Sequence, residues 1–346
     1  MTQRMQAMRL ERIAQLTDCE EPLRLVDCPV PEPGRGEVRI AVSVCGVCHT
    51  ELDEIEGRTP PPRLPVIPGH QVVGRIDRLG PGVETLQVGQ RVGVAWIFSA
   101  CGDCPWCNAG LENLCPQFRA TGRDVDGGYA QFMVVRAAFA HPVPDRLEDA
   151  EAAPLLCAGA IGYRSLRLAN LQTQLPLGLT GFGASAHLVL KLVRHQYPEL
   201  PVFVFARSEQ EQDFARELGA AWAGGTEAEP PAAMQAVIDT TPVWKPVVAA
   251  LRHLAPGGRL VINAIRKEDS DRELLAGIDY PRDLWMEKEI KSVANVTRAD
   301  VREFLALAAE VPIRPDCQEF SLAAANRALV ELKAGHIRGA KVLRIS

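Results

Sequence analysis

A chain of 346 residues, 47% hydrophobic and 23% charged, is long enough for two domains of ordinary size and has the composition of a globular protein, which excludes disordered and fibrous classes. A formal net charge of -5 at pH 7 gives no general attraction to phosphate backbones or anionic surfaces, so neither nucleic acid nor membrane is an expected partner. The opening Met1-Thr2-Gln3-Arg4-Met5-Gln6 lacks the apolar stretch of a secretory signal, and no later apolar run approaches the ~20 residues that span a bilayer, so the expected location is cytoplasmic.

Up to about residue 156 the chain is rich in Gly, Pro and short β-type runs, such as Val38-Arg39-Ile40-Ala41-Val42 and Gln71-Val72-Val73-Gly74-Arg75-Ile76. Turn signals such as Pro33-Gly34 and Gly80-Pro81-Gly82 separate them, which predicts an irregular, mainly β domain. Ten cysteines in a cytosolic chain of this length point to metal or catalysis where they cluster. Zinc-type residues occur in Cys45-Gly46-Val47-Cys48-His49-Thr50, in Pro68-Gly69-His70-Gln71 and in Leu155-Leu156-Cys157-Ala158-Gly159. Three ligands gathered by folding would leave a fourth position open, as a catalytic zinc requires. From the residues alone, packed core Cys and His explain the same positions.

Cys101-x2-Cys104-x2-Cys107-x7-Cys115 is the denser pattern, with Gly102, Pro105 and Gly110 among the thiols to let the backbone curl. Four thiolates can surround one tetrahedral zinc at about 2.3 Å each, filling its coordination sphere and leaving no place for substrate. A structural zinc is therefore expected here. A nucleic-acid zinc ribbon usually has basic surroundings, and no Lys or Arg lies between Cys101 and Cys115.

From about residue 158 apolar runs alternate with helix-length segments: Leu177 to Thr180, Val202 to Phe205, Ala236 to Asp239 and Leu260 to Ile262, which predicts a parallel sheet covered by helices. Gly181-Phe182-Gly183-Ala184-Ser185-Ala186 follows the first of these runs and precedes helix-compatible His187 to Arg194, as G-x-G-x-x-A does in a dinucleotide-binding βαβ unit. Gly181 and Gly183 allow a tight turn and close approach to pyrophosphate, while Ala186 lets helix and strand pack closely. After the second run the chain reads Ala206-Arg207-Ser208, where an NAD-selective enzyme usually places Asp or Glu on the ribose 2′-hydroxyl. A small residue, a guanidinium and a hydroxyl suit a 2′-phosphate, so NADP is the favoured cofactor and NAD the alternative. The last stretch predicts a helix over Arg298 to Glu310 and a strand over Ala340 to Ile345 that rejoins the first domain. The expected domains are 1–157 completed by 297–346, and 158–296.

Cys48-His49-Thr50, Gly69-His70, the four-cysteine lobe and the glycine-rich turn occur in the order of the medium-chain zinc-dependent alcohol dehydrogenases. The chain resembles that family from about Met8 to Ile345, within its bacterial alcohol and cinnamyl-alcohol dehydrogenase branch. The resemblance implies an α/β fold with a Rossmann cofactor domain and a mainly β, GroES-like catalytic domain, two zinc ions per chain, and a homodimer or homotetramer. It implies reversible hydride transfer between primary or secondary alcohols and NAD(P). Cys48, His70 and Cys157 would hold the catalytic zinc, with Cys45 a neighbour outside the ligand set. Thr50 would take the alcohol proton, His49 would lie near the pyrophosphate, and Trp96 would line the substrate pocket.

Two positions depart from the family pattern. Gln71 stands where a Glu usually follows the ligand His, which removes a negative charge and slightly raises the expected electrophilicity of zinc. Asp53 stands where the proton relay commonly ends in His, so proton release must use Asp53, another group or water. The competing readings are a cofactor-binding protein of the same fold without enzyme activity and a zinc-independent quinone reductase.

Overall fold

The computed structural model describes residues 3–311, 313–335 and 339–345. The chain divides into two units, Met1–Cys157 with Val296–Ser346, and Ala158–Asn295. Residues 1, 2 and 346, within the expected domain bounds, lie outside the described residues.

The first unit begins with an antiparallel ribbon of β1 (Arg4–Leu10) and β2 (Leu23–Pro29). Its spine is β3 (Glu37–Val47), in which Val38, Ile40, Val42 and Val44 alternate into the core. The strand expected at Val38 to Val42 thus extends to Val47 and delivers the chain directly to Cys48, where α1 (His49–Ile55) starts. Then come β4 (Val72–Leu79), β5 (Arg91–Val94), β6 (Ile97–Ser99), the short α2 (Pro105–Asn108), β7 (Arg119–Ala120), β8 (Phe132–Arg136), β9 (Ala140–Pro142) and α3 (Asp149–Pro154).

In the second unit α4 (Ala160–Ala169) precedes β10 (Leu177–Thr180), α5 (Ala184–Gln196), β11 (Val202–Phe205), α6 (Glu209–Glu217), β12 (Trp222–Gly224), β13 (Met234–Asp239), α7 (Lys245–Arg252), β14 (Leu254–Ile262) and β15 (Glu289–Ser292). The strands form a parallel sheet in the order β12-β11-β10-β13-β14-β15. Every residue of β10 and β11 is buried, which is why these strands read as unbroken apolar runs. β13 and β14 begin earlier than expected. The pair passes through a register shift between Met234 and Ala236, so Pro256-Gly257-Gly258, a turn signal in sequence, lies inside a strand. The strand order reverses at β10, which has β11 on one side and β13 on the other, and such a switch point opens a crevice at the carboxyl ends of the strands.

The chain then re-enters the first unit through α8 (Arg298–Glu310), β16 (Cys317–Ser321), α9 (Ala325–Lys333) and β17 (Ala340–Arg344). β17 pairs antiparallel with β3, Val342 opposite Gly46, completing the sheet β16-β17-β3-β4-β5-β9 with β8 also on β3. Among the described residues no helix is long and apolar enough to cross a membrane. The architecture is therefore α/β, a parallel Rossmann sheet plus a mainly β unit.

Candidate metal and cofactor sites

Cys48 caps α1 in extended geometry. Its Sγ accepts from the Thr50 amide at 3.4 Å, and its own amide donates to the Glu51 carboxylate at 2.9 Å. This is a capping box in which a thiol replaces the usual hydroxyl, and it fixes where the sulfur points. His70 follows Gly69, whose φ of +99° and lack of side chain are both required: a Cβ there would stand 2.4 Å from the Tyr129 ring. Cys157 lies in a π-helical turn, Leu155–Gly159, directly after α3. The ligand atoms of Cys48, His70 and Cys157 all lie within 4.8 Å of one another.

Cys48 Sγ and His70 Nε2 are 3.7 Å apart, which fits two ligands on one tetrahedral zinc, where S and N stand about 3.6 Å from each other. Contact with the Cys157 thiol, then burial and the Glu51 charge, push the Cys48 thiol well above its ordinary range, and a divalent cation supplies the opposite field. Cys45 is wholly buried with its Sγ toward the Gly46 carbonyl at 3.6 Å, outside the cluster. Gln71 is buried beside His70, an uncharged amide.

Glu51, which sequence reasoning overlooked, has a carboxylate oxygen 2.5 Å from His70 Nδ1. Burial lowers the His70 pKa, but the Glu51 and Cys48 charges raise it more, and the net shift is well upward. The available signal was its place three residues after Cys48, the acidic end of a capping box. Glu54, one turn further, is also buried, and burial followed by the Glu51 charge raises its carboxyl to about 8. It lies toward the Trp96 indole, whose N–H is likewise buried without a well-formed hydrogen bond. Trp96 packs on Phe118 at 5.5 Å between ring centroids, with the Arg123 guanidinium 5.2 Å from its ring. Thr50 is half-buried and His49 exposed on the first turn of α1, and Asp53 is held by Arg58 at 2.5 Å.

The second cluster is the lobe of Cys101, Cys104, Cys107 and Cys115, again with all sulfurs within 4.8 Å. Cys101 Sγ is 3.5 Å from Cys115 Sγ and 3.8 Å from Cys107 Sγ, where tetrahedral sulfurs at zinc stand about 3.8 Å apart. Backbone amides of Cys101, Gly102, Cys107 and Gln117 donate to these sulfurs at 3.4 to 3.5 Å and fix their directions, while burial and the neighbouring thiols outweigh the Gly102 amide and push the Cys107 thiol up to about 12. The four-sulfur set is closed, whereas the Cys48, His70 and Cys157 set leaves a position for a substrate oxygen.

In the second unit Gly181 has φ +76° and joins β10 to the turn before α5. Gly183 is the N-cap of α5 with no side-chain cap and open space beside it, so the amides of the first helical turn are left for an anion. Ala186 is fully buried. Ala206 is buried just past β11, and Arg207 is exposed. Ser208 caps α6, its Oγ accepting from the Glu211 amide at 3.2 Å, so its acceptor is engaged while its hydroxyl proton stays available.

Residues 34–145 match the family model described as Alcohol dehydrogenase GroES-like domain. The chain is 44% identical over 333 residues to the probable alcohol dehydrogenase AdhA of Mycobacterium tuberculosis, covering 94% of this chain and 93% of that one. It is 30% identical over 347 residues to an alcohol dehydrogenase of Geobacillus stearothermophilus, covering 96% and 99%. In fold it is similar to the cobalt- and zinc-bound thermostable alcohol dehydrogenase of Pyrobaculum aerophilum, with a TM-score of 0.83 at 24% identity over 99% of this chain and 100% of that one.

Proposed function

Because the chain belongs to the medium-chain zinc-dependent alcohol dehydrogenase family, we propose that it interconverts primary or secondary alcohols and their carbonyl products through Cys48, His70, Cys157 and Thr50. It is an NAD(P)-linked alcohol or aldehyde oxidoreductase with two zinc-binding clusters. The observation that carries the residue assignment is the convergence of two thiols and one imidazole, from segments far apart in sequence, with a buried carboxylate behind the imidazole. When bound, zinc supplies a Lewis acid for the substrate oxygen and the nicotinamide supplies the hydride acceptor or donor.

The chain's own residues do the rest. Cys48, His70 and Cys157 hold the metal, and Thr50 Oγ1 takes the alcohol proton. Thr50 in exchange releases its own hydroxyl proton to Asp53, which is paired with Arg58, to another group or to water. Trp96 walls the substrate pocket and favours unbranched or aryl alcohols. Cys101, Cys104, Cys107 and Cys115 hold the structural zinc. Gly181 and Gly183 receive the pyrophosphate, and Ala186 lets α5 pack close to β10.

NADP is the cofactor we favour over NAD, on the absence of a carboxylate in Ala206-Arg207-Ser208 and the exposed guanidinium there. A homo-oligomer is supported by β15, an exposed edge strand carrying Ile290 and preceded by exposed Tyr280, Trp285 and Met286. A cytoplasmic setting is supported by ten free cysteines, six of which make up the two clusters and must stay reduced to hold metal.

The test is metal analysis together with a spectrophotometric screen of alcohols and aldehydes against NAD and NADP. Two zinc ions per chain and turnover are expected. Zinc at the four-cysteine lobe alone, with cofactor binding but no turnover, would favour the non-enzymatic reading, and turnover of quinones without zinc the reductase reading.

A further inference from the structure

At the carboxyl end of the parallel sheet one buried charge ties neighbouring strands together. Asp239, the last residue of β13, has a fully buried side chain, and Lys267, in the segment after β14, is 8% exposed. Asp239 Oδ1 accepts from Thr180 Oγ1, at the end of β10, at 2.6 Å and from Thr241 Oγ1 at 2.7 Å. Its Oδ2 accepts from the Lys267 ammonium, which also donates to the carbonyls of Thr241 at 2.8 Å and Val243 at 3.0 Å. All three ammonium donors are thus engaged. Desolvating such a pair offsets most of its attraction, so it adds little net stability and acts chiefly by fixing geometry.

What it fixes is the crevice. Thr240 Oγ1 donates to the Thr180 carbonyl at 3.0 Å, and a Cβ on Gly181 would stand 2.9 Å from Thr241 Cγ2, so the loop after β13 lies against the glycine turn. The segment after β14 is fastened to that loop by Lys267, by Asn263 N to Asp239 O at 2.7 Å and by Glu268 N to Pro242 O at 2.7 Å. Within this fastened segment the Asn263 Nδ2 is buried with no hydrogen-bond partner among the described residues. A buried donor without a partner calls for an acceptor that a ligand can bring. In a doubly wound sheet the strands on the β13 side of the switch point form the second mononucleotide-binding half, and β14 belongs to that half.

We propose that Asn263 donates its side-chain amide to the nicotinamide mononucleotide half of the bound cofactor, and that Asp239 and Lys267 are positioning residues that hold it there. The proposal rests on the NAD(P) reading above. The experiment is calorimetric titration of the purified chain with NADP and NAD and, separately, with the adenine-side fragments 2′,5′-ADP and AMP. The proteins are wild type, Asn263→Ala, Lys267→Met, Lys267→Arg and the Asn263→Ala/Lys267→Met double variant.

Asn263→Ala and Lys267→Met should each weaken the dinucleotide about tenfold, the scale of one lost hydrogen bond in a desolvated site, and leave the fragments unchanged. The double variant should be no weaker than the worse single, because both act through one contact, and Lys267→Arg should recover part of the loss. Equal losses for dinucleotide and fragment, or wild-type dinucleotide affinity in Asn263→Ala, would overturn it. If Lys267→Met does not fold by circular dichroism, Asn263→Ala against the fragments decides alone. A wild-type chain that binds neither dinucleotide refutes the oxidoreductase reading itself.

Discussion

Glu51 Oε1 lies 2.5 Å from His70 Nδ1, both side chains sealed from solvent. With zinc bound, a carboxylate at Nδ1 favours the tautomer that carries its proton there and offers the Nε2 lone pair, on the Cys48 side, to the metal. Glu51→Gln should therefore lower zinc affinity at the Cys48, His70 and Cys157 cluster by about 10- to 100-fold while the four-cysteine lobe keeps its ion. Competition against a chromophoric chelator measures it, and unchanged release of both ions would contradict the assignment.

His70→Ala removes one of three ligands outright. One of two zinc ions should be lost and turnover should disappear, with the far-ultraviolet circular dichroism retained. An active variant holding two zinc ions would refute the ligand set.

Cys104→Ser has the opposite profile. An incomplete sulfur set should release the lobe's zinc and lower the melting temperature, with any loss of activity secondary to that. A wild-type melting temperature with full zinc would rule out a structural role for this ion.

Arg207→Ala should cost NADP roughly ten- to a hundredfold in kcat/KM, the scale of one or two charge-assisted hydrogen bonds, and leave NAD unaffected. Ala206→Asp should go further and swing preference toward NAD, since a carboxylate accepts from a ribose hydroxyl and repels a phosphate. Both are measured with one alcohol at fixed ionic strength. A wild type that already prefers NAD would sink the cofactor reading.

His141, on β9, is buried, and burial, with Arg302 and Arg298 nearby, lowers its pKa to about 3. In the unfolded chain it titrates near 6.5. Above that value neither state binds the proton. Below it the unfolded state does and the native state does not, so stability falls as pH drops from 6.5 toward 3, by a few kcal/mol in all. Denaturant midpoints across pH 7 to 4 should show a shallower slope for His141→Gln than for wild type, and identical slopes would contradict this.

Legibility in the sequence tracked how local each signal is. β10, β11 and α8 occupy the residues expected of them, because unbroken apolar runs and a Thr297 cap are written in adjacent residues. The four-cysteine lobe is likewise compressed into one turn of chain. Cys48, His70 and Cys157 carry no such local mark: resemblance singled them out, and the folding of β3, the Gly69 turn and the π turn brings them together. Glu51 and Glu54 are not singled out in the sequence, yet both are buried, because α1 packs inward. Asp239 and Lys267 are separated by a helix and a strand, and their pairing needs the parallel order of β13 and β14.

The first unit is discontinuous: β3, which leads to Cys48, has β17 as one neighbour, and β17 comes from the last residues of the chain. During synthesis β8 can cover Glu37 to Ala41 on one flank of β3 early, but Val44 to Val47 on that flank, the end that leads into Cys48, stays unpaired until the whole Rossmann unit has emerged and β17 follows. The later-made unit, continuous in sequence, has all its parts first. A stalled nascent chain ending near residue 295 should thus present a folded cofactor unit behind an incomplete metal unit, exposing its thiols to oxidation and chaperones over that interval.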